Sequence, residues 1–203
     1  MHWLSQIAPA PRLVGTLAAP PGWIEPERVI YDFELVLFAK SDFVVRIEDK
    51  EFDCSHGSFI VVPPGRIHST LNSGGARGQR YWVHFSWEPR EDVGEVPIET
   101  YHPSPVQTAH ICPTPSYVPG HPLTGTIKRL DRVLELHERI SYRWNLGDGH
   151  EQLSSRALVL ELLIELLDDE TGPSSTTSSS HLLAHQVRRA IESAVHDTVL
   201  HRS

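Results

Sequence analysis

The chain has 203 residues, 39% of them hydrophobic and 22% charged, and 18 basic against 26 acidic side chains leave a net charge of −8. That length fits one domain with an appendage, and that composition belongs to a globular fold rather than a disordered chain. The balance excludes a DNA grip built on a basic stripe, no apolar run approaches the roughly 18 residues of a membrane span, and two cysteines make neither a disulfide framework nor a metal knuckle.

Residues 1–27 hold Pro9, Pro11, Pro20, Pro21 and Pro26 and read as an irregular arm with a short strand over residues 12–17. The start of the chain lacks a basic segment followed by an apolar one, so a cytoplasmic address is expected. From residue 28 to residue 122 the texture is that of a barrel. Short runs rich in Val, Ile, Phe and Tyr (VIYDFELVLF, FVVRIE, FDC, SFIVV, IHSTLN, RYWVHFSW) alternate with turn residues such as Pro63-Pro64-Gly65 and Ser73-Gly74-Gly75. Strands this short must close on one another to cover their edges and share a core. The Pro-rich stretch over residues 89–122 reads as a connection, with one more strand in VQTAHI.

After Pro122 the period turns helical. Leu123, Ile127, Leu130, Leu134 and His137 recur at steps of four and three, and Leu153, Ala157, Leu160, Ile164 and Leu167 repeat the spacing beyond the stop signal NLGDG. Residues 123–170 are therefore expected to form an antiparallel helical hairpin. Residues 171–180, TGPSSTTSSS, have the composition of a flexible linker, and residues 181–203 read as the first helix of a further domain.

The most informative stretch is GSFIVVPPGRIHSTLN. It matches G-x5-P-x-G-x2-H-x3-N at Gly57, Pro63, Gly65, His68 and Asn72, the second motif of the cupin barrel. With its flanks, EFDCSHGSFIVVPPGRIH and then RYWVHFSWEPR, it resembles the sensing domain of AraC-type transcription regulators, in which a PPG-x-x-H turn precedes a W-x-x-F strand. The resemblance spans roughly residues 12–170. It implies a mainly β, cupin-like double-stranded β-helix (a jelly-roll barrel) followed by an antiparallel helical hairpin. It also implies a small-molecule effector such as a sugar, homodimerisation through the hairpin, and DNA contact only through a helix-turn-helix domain that begins at residues 181–203 and is otherwise missing.

Strand parity selects Arg12, Glu34, Val36, Arg46, His68, Trp82 and His84 as candidate effector-contacting residues. Each has a plainer reading beside it. Glu34 is either a ligand contact or a rim residue paired with Arg28 or Arg46. His68 either faces the interior or caps its turn. Trp82, which shares a strand face with His84, is either a stacking platform or core. Leu153, Ala157, Leu160, Ile164 and Leu167 are the candidate dimer seam. The rival reading is a stand-alone cupin, either a small-molecule binding protein or a metal-dependent enzyme. Such enzymes hold a metal through H-x-H-x(3,4)-E and the later His, and here ERVI stands where the His pair would be. The expectation is accordingly no catalytic residue, no metal, no cofactor and no enzyme.

Overall fold

The apolar runs become strands, and their pairing is nested. The computed structural model describes residues 3–90, 96–103, 105–147 and 149–167. Its strands are β1 (Ala10–Ala19), β2 (Ile24–Ile30), β3 (Phe33–Lys40), β4 (Phe43–Ile47), β5 (Lys50–Cys54), β6 (Ser58–Val62), β7 (Ile67–Asn72), β8 (Gly78–Ser86), β9 (Glu99–Tyr101) and β10 (Leu123–Thr126). Two helices follow, α1 (Leu130–Leu146) and α2 (Gly149–Leu167). β1 pairs with β8, β2 with β7, β3 with β6 and β4 with β5, always antiparallel. One long hairpin is thus wound on itself into a double-sheet jelly roll. The sheets run β1-β8-β3-β6-β10 and β5-β4-β7-β2-β9. The expected class stands: a mainly β, double-stranded β-helix with a helical hairpin after it.

Alternation along the strands divides the core into two layers. From β3, Val36 and Phe38 meet Ile60, Val62, Phe43 and Val45 between the sheets. Leu35 and Leu37 point the other way, joining Phe59, Val61, Val83 and Phe85 beneath the helices. β3 and β6 are therefore buried on both faces, as their unbroken apolar runs require. The helices add Val133, Leu136 and Ile140 from α1 and Leu158, Val159, Leu162, Leu163, Leu166 and Leu167 from α2. Gly147, in the left-handed region at φ 75°, ends α1. Ion pairs Arg129–Glu165 and Arg132–Glu161 match the start of α1 to the second half of α2, and Arg143–Glu151 matches the end of α1 to the start of α2, so the hairpin is antiparallel.

Two fixed positions of the sixteen-residue motif have plain mechanical roles. Gly65 takes φ 75° in the Pro64-Gly65 turn, and its N–H donates to the Ile30 carbonyl at 2.8 Å. A side chain there would also strike Ile111, since a Cβ would lie 2.6 Å from its tip. Asn72 is buried, and its amide donates to the carbonyls of Ala19, Pro20 and Ala76 at 3.0–3.1 Å. It ties the β1–β2 corner to the β7–β8 turn.

Several boundaries differ from the expectation. The arm over residues 1–27 is largely barrel, because β1 is a full strand along β8 despite its prolines. Pro11 is tolerated beside a bulge on an edge strand. VIYDFELVLF is two strands in different sheets, turning at Tyr31-Asp32, where Asp32 finds its charge partner Arg12. VQTAHI contains a short 3-10 turn, Thr108–His110, rather than a strand. Leu123 lies in β10, not in a helix, since its four-step spacing to Ile127 spans a strand end and a loop. The linker and the further domain proposed for residues 171–203 lie outside the described residues. No described helix is long and apolar enough to cross a membrane.

Candidate functional site

Two cross-strand pairs, one in each sheet, face each other across one end of the barrel. Glu34 on β3 lies directly beside His84 on β8, and Arg28 on β2 directly beside His68 on β7. All four are at most 2% exposed. Arg28 Nη2 donates to both oxygens of Glu34 at 2.9 Å. His68 Nε2 stands 3.6 Å from one Glu34 oxygen and His84 Nε2 3.5 Å from the other. His68 faces the interior, and its Nδ1 meets the Arg66 carbonyl at 3.0 Å beside the turn. Glu34 is indeed paired with Arg28, but deep inside rather than at a rim.

A wider ring of charge surrounds these four. Arg28 also contacts Glu25 at 3.2 Å and Glu99 of β9. Glu25 binds Arg80 at 2.6 Å, and the Arg80 guanidinium lies 4.8 Å from the Trp23 ring centre and 5.1 Å from that of Trp82. Both are cation–π distances. A ligand stacking on this face of Trp82 would have to replace Arg80. The other limit on the indole is Gly15, its direct neighbour on β1, where a Cβ would sit 2.3 Å from the ring.

Electrostatics sets the protonation states. Burial would raise the Glu34 carboxyl, yet Arg28, helped by His68 and His84, outweighs it and holds Glu34 well below the usual carboxylate range. Arg28 is pulled down by burial and raised more strongly by Glu34, Glu25 and Glu99. Burial first, then the charges of Arg28, His68 and Arg12, push His84 down to about 4 against the pull of Glu34. It is neutral at physiological pH.

The remaining candidates separate cleanly. Val36 faces the same interior. Arg12 reaches the buried Asp32 at 2.8 Å and also donates to the Val96 and Pro97 carbonyls, closing one end of the barrel. Arg46 is corrected: it alternates with the inward Val45 and Ile47, its side chain is 56% exposed, and it lines a shallow acidic hollow with Glu27, Glu48, Asp49 and Glu51. In the candidate seam Leu153 and Ala157 are exposed and Leu160 and Ile164 half-buried, but Leu167 is corrected to core at 2%. Sequence reading missed Arg80, although it shares the parity of Trp82 and His84. It also missed Glu25, Asp32 and Glu99, for which no local pattern gave a signal.

The site does not suit a metal. Both Glu34 oxygens are taken by Arg28, so the positive charge comes from a guanidinium. Among the described residues no group of three or more His, Cys, Asp or Glu can hold an ion.

The architecture and its interior define a cupin-type barrel with a charged end. No protein-family model matches the chain, and no curated protein matches it in sequence. Among solved structures it is similar to the cupin domain of Schizosaccharomyces pombe Cnp3, with 19% identity over 36% of this chain and 54% of that one, TM-score 0.35. It is also similar to oxalate oxidase in complex with glycolate (19%, covering 36% and 41%, TM-score 0.33) and to oxalate decarboxylase from Bacillus subtilis (15%, covering 44% and 23%, TM-score 0.35). The chain thus spans between about a quarter and a half of the length of these structures. The expectation of no enzyme is corrected by these neighbours. Two of them are enzymes, so the fold gives no ground for excluding catalysis.

Proposed function

We propose that this barrel is the small-molecule-sensing module of an AraC-type transcription regulator, and that α1 and α2 pair it with a second copy. The observation that carries the reading is the charged end of the barrel. Arg28 Nε, Arg80 Nε, His68 Nε2 and His84 Nδ1 are all buried there without a hydrogen-bond partner among the described residues. Buried polar atoms are nearly always satisfied, so four orphans in one interior mark the place where a ligand's polar groups belong. The PPG-x-x-H turn and the strand bearing Trp82 support the sensor assignment. The outward face of α2, with Leu153 62% exposed and Ala157 beside it one turn on, supports pairing of two copies. With a net charge of −8, DNA contact is assigned to residues beyond the barrel and hairpin.

Native mass spectrometry of the purified protein tests this, wild type against His84→Gln. The expected result is two copies per particle with a bound small organic molecule that the variant loses. A ligand-free single copy, or a molecule held equally by both proteins, would overturn the reading.

A further inference from the structure

Three carboxylates surround the buried Arg28, and they are not equivalent. Glu34 and Glu25 are sealed, with side chains 1% and 9% exposed, whereas Glu99 is 32% exposed. Glu99 comes from β9, a three-residue strand attached to β2 at the sheet edge. It meets Arg28 at Nη1 and is the one of the three carboxylates that solvent reaches readily. Glu34 is bound twice by Arg28, and Glu25 is shared with Arg80. Glu99 has the fewest ties and the readiest access to water.

We propose that Glu99 is a built-in stand-in for the ligand, and that the barrel takes a small carboxylate whose acid group replaces that of Glu99 on Arg28. The proposal rests on the reading of the barrel as a small-molecule site and narrows it to one chemical class. Charge favours the exchange. Arg28 and Arg80 face Glu25, Glu34 and Glu99, so an added anion would meet an excess of negative charge, while one that displaces Glu99 leaves the sum unchanged. The displaced Glu99 moves into water, where a carboxylate is at no cost. The backbone pairing of β9 with β2 need not change, because only the Glu99 side chain has to swing out.

Isothermal titration calorimetry on the whole protein at fixed ionic strength tests the exchange. The probes are acetate, benzoate and glucuronate, each against its neutral counterpart acetamide, benzamide or glucose. The proteins are wild type, Glu99→Gln and, as a control for the loss of one negative charge, Glu48→Gln on the surface. A competitor that occupies Arg28 nine-tenths of the time weakens an incoming ligand about ten-fold. At least one carboxylate should therefore bind Glu99→Gln about ten-fold tighter than wild type, with no such gain in Glu48→Gln or for its neutral counterpart. Absence of that gain for all three acids overturns the proposal, and so does an equal gain in Glu48→Gln. Neutral probes that bind as well as the acids also overturn it, yet leave the barrel a small-molecule site.

Discussion

Replacing Arg28 with Met tests the charged end directly, because it removes one cation and little volume. The guanidinium is 3% exposed, donates twice to Glu34 at 2.9 Å and neutralises Glu25 and Glu99 as well. Breaking a buried pair from one side costs about 3–5 kcal/mol, a large share of the roughly 5–15 kcal/mol of a typical domain. The pH dependence should also change sign. In the wild type the Glu34 carboxyl lies below its ordinary 4.5, so its contribution is present above that value and is lost as pH falls through the folded-state value. Without Arg28 the largest charge opposing burial is gone, only His68 and His84 still act against it, and the carboxyl of Glu34 rises above its ordinary value. The folded variant then binds a proton that the unfolded chain has already released, and stability is lost as pH rises. The deficit against wild type should be smallest near pH 5 and grow towards about pH 8. Adding Glu34→Gln to the variant should recover part of the loss, since no unpaired charge then remains. Urea unfolding followed by tryptophan fluorescence at both pH values measures it. A deficit under about 1 kcal/mol, or one equal at both ends of the range, would refute the electrostatic reasoning.

His84 is pushed from 6.5 to about 4, so the unfolded chain takes up its proton first and stability falls as pH drops through that window, by about 3 kcal/mol in all; His84→Gln should flatten the acid limb by that amount in urea titrations between those pH values. Burial lowers His137 in the same direction, so some slope should persist in the variant. Gly15→Val would drive a side chain into the Trp82 ring and should cost roughly 1–3 kcal/mol, recovered in part by Trp82→Leu; equal thermal stability of Gly15→Val and wild type would contradict the packing. On α2, Leu153→Glu with Ala157→Glu should give a folded single copy in sedimentation, whereas Leu167→Glu should unfold the chain because that position is core. An unchanged dimer mass in the first variant would remove the proposed seam.

What could be read without coordinates follows from the range of each signal. The turn residues of GSFIVVPPGRIHSTLN act within a few positions of themselves, so Gly57, Gly65 and Asn72 fell where their local chemistry places them. Parity put Tyr81, Val83 and Phe85 on the face opposite Trp82 and His84, and they do lie in the outer layer. Parity likewise exposes Arg46, since inward Val45 and Ile47 leave it only the other face. Parity fixes only that Arg46 and its two neighbours take opposite faces; which face turns inward is decided by the packing of Val45 and Ile47. The corner at Tyr31-Asp32 was invisible because neither Gly nor Pro punctuates VIYDFELVLF. The sealing partners of the site were the least legible. Glu25 and Glu99 reach Arg28 only after β2 has paired with both β7 and β9, and no periodicity within either segment records that meeting.

The position of the charge within the barrel bears on why it is there. Next to the four polar residues the same interior is filled by Val36, Ile60, Val62, Ile30 and Val45, so these strands readily accept branched apolar side chains at inward positions. An apolar replacement of a buried ion pair of similar volume is often neutral or stabilising by about 1–4 kcal/mol. Stability alone therefore gives no reason for Arg28, Glu34, His68 and His84 to occupy one end of an otherwise apolar core. The ion pairs also leave Arg28 Nε and two imidazole nitrogens without partners among the described residues, which a purely structural network would be expected to satisfy. The acids contribute more to closure than to packing. Glu99 from the edge strand covers the cluster, and the Tyr101 hydroxyl donates to Glu25 at 3.3 Å from the same strand. A polar interior, incompletely satisfied and covered at its outer side by one half-buried carboxylate, has the features needed to recognise a small polar ligand by exchange.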